Sequence, residues 1–328
     1  MAPFDTSLTP QTTPDAALRH IVAECHADLL KYRAIALQTR RPVGIHQTRV
    51  ALRRLRAAFG LFRSAVDGPV VRALSAEARW LAGECGPARD LHVFLTETAD
   101  EVPPMVKRIA NRLAKAHLER ARTALAGARF ESFHRQLDAF AALSHAGTQE
   151  RLDEFARTVL DKRHAKVMQR GRKHGSFDEK RLHRLRIAIK KLRYAADFLK
   201  PAFASAPFAS REAKAYIGAT MRLQNALGAL NDRAVAVQVL DDLATAARPS
   251  EDARAALKDL AGQARSGGKR RRRKLERAWK DFRKVECFWR LDPGVKGNNE
   301  RNADRRRATH PGHGADGLPG QRKDDAAE

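Results

Sequence analysis

The chain has 328 residues, 43% of them hydrophobic, with 63 Lys and Arg against 38 Asp and Glu, a formal charge of +25. That length and apolar content allow two domains, or one large duplicated one, around a real core, and the charge points to a polyanion: nucleic acid, polyphosphate or an anionic membrane surface. No run approaches the ~18 uninterrupted apolar residues of a membrane span, and the N-terminus has no basic segment followed by an apolar one, so a soluble, cytoplasmic protein is expected.

The elements follow in chain order. Residues 1–14 are rich in Pro, Thr and Ser and read as a disordered lead. Leu18, Ile21, Val22, Cys25, Leu29 and Leu30 give a helix from Asp15, its expected N-cap, to about Gln38. Arg40-Arg41-Pro42-Val43-Gly44 breaks it, and a strongly basic helix then runs to about Val66. Asp67-Gly68-Pro69 is a turn, and a third helix runs from Val70 toward Cys85. Gly86-Pro87 interrupts, Ala88-Arg89-Asp90 restarts a helix through Leu95, and Pro103-Pro104 marks the next break. A long helix reaches about Ala126, and a shorter one from Phe130 to Leu143 closes the first half.

The second half repeats that order. A helix from Thr148 to about Arg172 is followed by a loop at 173–176 and a second basic helix ending before Pro201. Another helix starts near Arg211. Gly228-Ala229-Leu230-Asn231-Asp232 then answers Gly86-Pro87-Ala88-Arg89-Asp90. A last helix is expected from about Ser250 through the cation run 269–274 to Phe282. Beyond Asp292 the chain has no period and reads as a disordered tail; from Pro293 on it holds seven Lys or Arg against six Asp or Glu, so the charge excess belongs to the folded body. No segment alternates with period two, and β-branched residues are sparse. The expected fold is therefore all-α: two antiparallel four-helix bundles, 15–145 and 146–290, from an internal duplication related by a pseudo-twofold axis.

The two basic helices carry that duplication. His46, Arg49, Arg53, Arg54 and Arg56 match His183, Arg186, Lys190, Lys191 and Arg193, 137 positions later. On a helix, His46, Arg49, Arg53 and Arg56 share one face, extended by Arg63, and the echo does the same with Lys200. Beside each line runs an apolar stripe: Ile45, Leu52, Leu55, Phe59 and Phe62 in the first, Leu182, Ile189, Leu192 and Leu199 in the second. Solvated charged faces usually mix signs to form i,i+4 pairs. A row of one sign repels itself and calls for an anion. Arg54 and Lys191 point off the main stripe but are kept among the candidates. Asp90 and Asp232 fit capping or an internal salt bridge. The three cysteines, Cys25, Cys85 and Cys287, are widely spaced and read as isolated reduced thiols.

The paired blocks HxxRVxxRRLR and HxxRIxxKKLRY, each followed by a Gly-x-x-[Arg/Asn]-Asp element and closed by Ala278-Trp279-Lys280-Asp281-Phe282, resemble the conserved histidine α-helical domain, CHAD, from about Leu18 to Arg283. The resemblance implies two helical bundles with a basic groove or central channel that binds inorganic polyphosphate, and targeting to intracellular polyphosphate granules. Many relatives carry a preceding CYTH triphosphatase-type domain; no ExExK block precedes the helices here, so that activity has no residues in this chain. The implied ligand set is His46, Arg49, Arg53, Arg54, Arg56, His183, Arg186, Lys190, Lys191 and Arg193.

Polyphosphate has charge but no bases, so its receptor needs Arg and Lys rather than aromatic platforms, and aromatics are 6% of this chain. A nucleic-acid-binding helical protein is the alternative. A scaffold that recruits partners to granules is compatible with either. No metal-ligand spacing, HD pair, HExxH or P-loop occurs, so neither an enzyme nor a cofactor is expected. Oligomeric state has no signature here.

Overall fold

A computed structural model describes residues 8–97, 102–143, 149–172, 179–204, 209–246, 251–265 and 268–290. The expected loop at 173–176 and the tail from 291 onward lie outside them. Eleven α-helices are present among the described residues, with no strand: α1 (Pro14–Gln38), α2 (Pro42–Leu61), α3 (Pro69–Glu84), α4 (Gly86–Glu97), α5 (Pro104–Ala126), α6 (Ala128–Ala142), α7 (Leu152–Gly171), α8 (Glu179–Leu199), α9 (Ala209–Ala246), α10 (Glu251–Arg265) and α11 (Gly268–Phe282). Short 3₁₀ turns follow α2 and α8, at Phe62–Ser64 and Lys200–Phe203, and a third spans Phe288–Arg290.

Proline sets several starts. Pro14, Pro42, Pro69 and Pro104 open α1, α2, α3 and α5, where a missing N–H costs nothing. The cap of α1 is therefore Thr13, whose hydroxyl accepts from the Ala16 amide at 3.3 Å, and not Asp15. Asp15 is instead buried, paired with Arg19 at 2.8 Å, while Arg19 also donates to the Phe140 carbonyl. Part of the expected disordered lead carries structure: the Thr12 and Pro10 carbonyls accept from the Leu152 and Asp153 amides at the start of α7.

Gly44 lies inside α2 rather than in a break before it. A Cβ there would stand 2.6 Å from the Ala36 nitrogen, so α1 and α2 cross backbone against backbone. Where a single last helix is expected from about 250 to 282, the described residues form two, α10 ending at Arg265 and α11 starting at Gly268. In the other direction, α9 runs unbroken for 38 residues, through the Gly228 element, whose first-half counterpart Gly86–Asp90 instead opens a new helix, α4, after α3 ends at Glu84.

α1 packs along α2, α7 along α8, and α2 and α8 meet each other. The larger core gathers α1, α2, α3, α6, α7, α8, α11 and the N-terminal half of α9, around Leu18, Leu52, Phe62, Phe130, Ile189, Tyr216 and Trp289. A smaller one joins α4, the first half of α5, the C-terminal half of α9, and α10, around Phe94, Val106, Leu243 and Leu257. Both cores take side chains from both halves of the sequence. Among the described residues, no helix is long and apolar enough to cross a membrane.

Candidate anion-binding site

The apolar stripes do what their spacing predicts. Ile45, Leu52, Leu55, Phe59 and Phe62 of the first block and Ile189, Leu192 and Leu199 of the second are buried, which fixes the rotation of α2 and α8. One helical step round, their cations line a cleft of about 670 Å³. Arg53, Arg56 and Arg63 come from α2 and its 3₁₀ extension, Arg72 and Arg79 from α3, Arg163 from α7, and Lys190 and Lys191 from α8. The only carboxylate on that lining is Asp67, and it is engaged by Arg72 at 3.1 Å.

Lys190 marks the electrostatic centre. Burial, then the charges of Arg53, Arg186, Arg56 and Arg193 in that order, push its ammonium down to about 8. So the largest charge effects on this one amine come from cations of α2 and α8. Nε of Arg53 and Nε of Arg186 are both buried with no hydrogen-bond partner among the described residues. An unsatisfied buried donor costs about 1–3 kcal/mol, and more when charged, which an anion would recover. Arg56 is held below its ordinary value by burial and by Arg79.

The other end of the α2 row is braced. Arg49 donates to the Ala82 carbonyl at 3.3 Å and pairs with Asp90 at 3.5 Å, so Asp90 orients a member of the row by an internal ion pair. Gly86 leaves the room this requires: a Cβ there would meet Nη1 of Arg49 at 2.8 Å. His46 is partly buried, its imidazole made less basic by burial and then by Arg89, Arg53, Arg49 and His92. On α8, His183 is exposed, while Arg193 donates to Gln224 at 2.8 Å and lies over the Tyr194 ring at 4.6 Å.

Arg54 stands apart. It turns toward α1 and the C-terminal end of α8, 3.5 Å from Asp197, 3.7 Å from Glu24 and over the Phe198 ring. The side chains of Asp232 and of residues 269–271 lie outside the described set; Arg272, which pairs with Glu276 at 3.3 Å, Arg273 and Lys274 are exposed on α11.

Sequence reasoning missed Arg72, Arg79 and Arg163. Arg72 and Arg79, seven apart on α3, could have been found as a short one-face pair. Arg163 sits in the mixed run Asp161-Lys162-Arg163-His164 and carries no such signal. Its guanidinium donates to the Lys191 carbonyl at 2.7 Å and the Gly60 carbonyl at 3.2 Å, tying α8 to α2, and burial pushes it down to about 10.

Fold and cleft together define an all-helical protein in which two matched basic helices pack against each other beside a cleft lined by cations. The sequence pattern of the CHAD domain matches residues 20–241, and the chain belongs to that family. The crystal structure of the CHAD domain from the plant Ricinus communis is similar at a TM-score of 0.72 and 25% sequence identity, over 87% of this chain and 98% of that one. PptA from Streptomyces chartreusis shares the fold at a TM-score of 0.55 and 15% identity, over 83% and 98% of the two chains. No curated protein matches the chain.

Proposed function

We propose that the protein binds inorganic polyphosphate without turning it over, in the cleft between α2 and α8, and that this binding takes it to polyphosphate granules in the cytoplasm. One observation carries the reading: Arg53, Arg56, Arg186, Lys190 and Arg193 converge with two buried, unpartnered guanidinium nitrogens among them. Membership of the CHAD family supports the same ligand. His46, Arg49, His183 and Lys191 extend the track, and Arg54 does not join it.

The aromatic rings beside the cations favour polyphosphate over nucleic acid. Phe59 and Tyr194 line the cleft but are only 2% and 6% exposed, so bases would find no stacking face. The one carboxylate on the lining among the described residues, Asp67, is paired with Arg72 and so is not a free carboxylate base for activating water. Release of phosphate by the purified protein would count against the non-catalytic part.

We also infer that the halves are a duplication, with a pseudo-twofold axis relating two four-helix bundles. The support is that Arg53 and Lys190, and likewise Arg56 and Arg193, are 137 positions apart in sequence and meet in one electrostatic cluster.

The test is titration of long-chain polyphosphate at two salt concentrations, beside the Arg49→Ala/Arg53→Ala/Arg186→Ala/Lys190→Ala variant with its fold checked by circular dichroism. If about eight phosphates are engaged, log affinity should fall against log salt with a slope of roughly −6. Salt-independent binding, or full affinity in the folded variant, overturns the proposal. Polyphosphate should also displace RNA readily, and RNA should displace polyphosphate poorly.

A further inference from the structure

We propose that Lys190 is a modification site: its side-chain amine accepts an acyl group from small acyl phosphates that enter the cleft, which cancels the charge at the cleft's centre. The proposal rests on reading the cleft as an anion site.

The geometry supplies both partners of the reaction. Lys190 lines the cleft, where the one carboxylate among the described residues, Asp67, is paired with Arg72. The charged groups around it are Arg53 and Arg56 from α2 and Arg186 and Arg193 from α8, while Arg79 of α3 and Arg163 of α7 line the same cleft. Arg53, whose buried Nε has no hydrogen-bond partner among the described residues, lines the cleft beside Lys190, and its guanidinium is a donor suited to a phosphate dianion. A lysine desolvated among other cations is an established way to make an amine nucleophilic.

The chemistry closes without a further reagent. The neutral Lys190 nitrogen attacks the acyl carbon and an N–C bond forms. The C–O bond to phosphate breaks, and the phosphate leaves with the bonding pair, taking up the proton that nitrogen loses. The guanidinium groups that gather the dianion also stabilise the leaving phosphate.

Magnitudes favour Lys190 over the surface lysines. With its ammonium near 8, about 100-fold more of it is free amine at pH 8 than of an ordinary lysine at ~10.4. Lower basicity reduces intrinsic nucleophilicity by about tenfold if the thiolate slope is taken as a guide. That leaves about a tenfold advantage toward a neutral donor; an acyl phosphate dianion raises the ammonium while it is bound, and its recruitment by the guanidinium groups has to outweigh that loss.

The experiment is a time course of the full-length protein with acetyl phosphate at pH 8, read by peptide mass spectrometry. Lys190 should be acetylated about tenfold faster or more than the exposed Lys107 and Lys162. A parallel reaction with N-acetoxysuccinimide, a neutral donor, should show a preference at least threefold smaller, because guanidinium recruitment is absent. Inorganic tripolyphosphate should protect Lys190 and leave Lys107 unaffected. Acetylation of Lys190 at the rate of Lys107 and Lys162 overturns the proposal, as does equal selectivity with the two donors. Selective labelling without polyphosphate binding would sink the binding reading alone, and binding without selective labelling would sink this one alone.

Discussion

Arg53 and Lys190 occupy equivalent positions in the two repeated blocks, and across the cleft the Arg53 charge is the first, after burial, to lower the basicity of Lys190. A residue and its own repeat partner therefore repel each other in the cleft. A polyanion laid between them relieves that repulsion. The protonation of Lys190 is thus linked to occupancy.

The first consequence is pH dependence of binding. The free ammonium titrates near 8, and a bound polyanion raises it back toward the ordinary lysine range. Below pH 8 Lys190 is charged in both states and affinity is flat with respect to it. Above pH 8 binding must take up a proton, so affinity falls by up to about tenfold per pH unit until the bound-state value is reached. Calorimetry at pH 8.5 in two buffers of different ionisation enthalpy should report net proton uptake, which Lys190→Arg should remove.

Stability should move the other way. Because folding depresses Lys190, the penalty for holding it charged is fully present below about pH 8 and is relieved as pH rises toward the unfolded value near 10.4. Lys190→Met should raise the melting temperature at pH 7, by a free energy on the order of 1–2 kcal/mol once partial exposure is allowed for. The gain should shrink between pH 8 and pH 10.5. A gain that is constant over that range would contradict the assignment.

Arg53 and Arg54 are neighbours with opposite expected phenotypes. Arg53→Ala removes an unpartnered cation from the cleft and should weaken polyphosphate about tenfold, with little loss of stability. Arg54→Ala strips Asp197 and Glu24 of a partner and uncovers Phe198, and should cost about 1–2 kcal/mol in denaturant unfolding while affinity stays within twofold. Measuring both quantities on both variants separates track from scaffold.

Gly44→Ala tests the α1–α2 crossing. The added Cβ would meet backbone atoms of Ala36 at 2.6 and 2.7 Å, which cannot give way like the end of a side chain. A loss of about 1–3 kcal/mol is expected, together with weaker polyphosphate binding, because α2 carries the His46–Arg56 row. Wild-type stability in this variant would mean the crossing is looser than described.

Arg163→Lys asks whether α2 and α8 need their tie. The guanidinium reaches the Lys191 and Gly60 carbonyls at once, and a single ammonium cannot match that fork. Polyphosphate affinity should drop about threefold to tenfold, with circular dichroism unchanged.

Much of this was legible in the letters because the signals were periodic. The Ile45–Phe62 stripe fixed the buried face of α2, and the face bearing Arg53 and Arg56 followed from it. The proline starts and the repeat of 137 gave the order of elements. Three things were not legible. Arg163 acts through two main-chain carbonyls that only packing brings together. Arg54 shares its block's spacing, but Asp197 and Glu24, far off in sequence, decide where it turns. The continuity of α9 through Gly228 ran against a local breaker signal, because packing of its two halves outweighs the ~1 kcal/mol cost of one glycine.

α9 spans about 57 Å at helical rise, with Tyr216 and Leu223 seated in one core and Leu240 and Leu243 in the other. A strut embedded at both ends leaves no hinge between its anchorages. For one core to swing against the other, main-chain hydrogen bonds in the middle of α9 would have to break. The rod therefore resists bending between the two cores it joins.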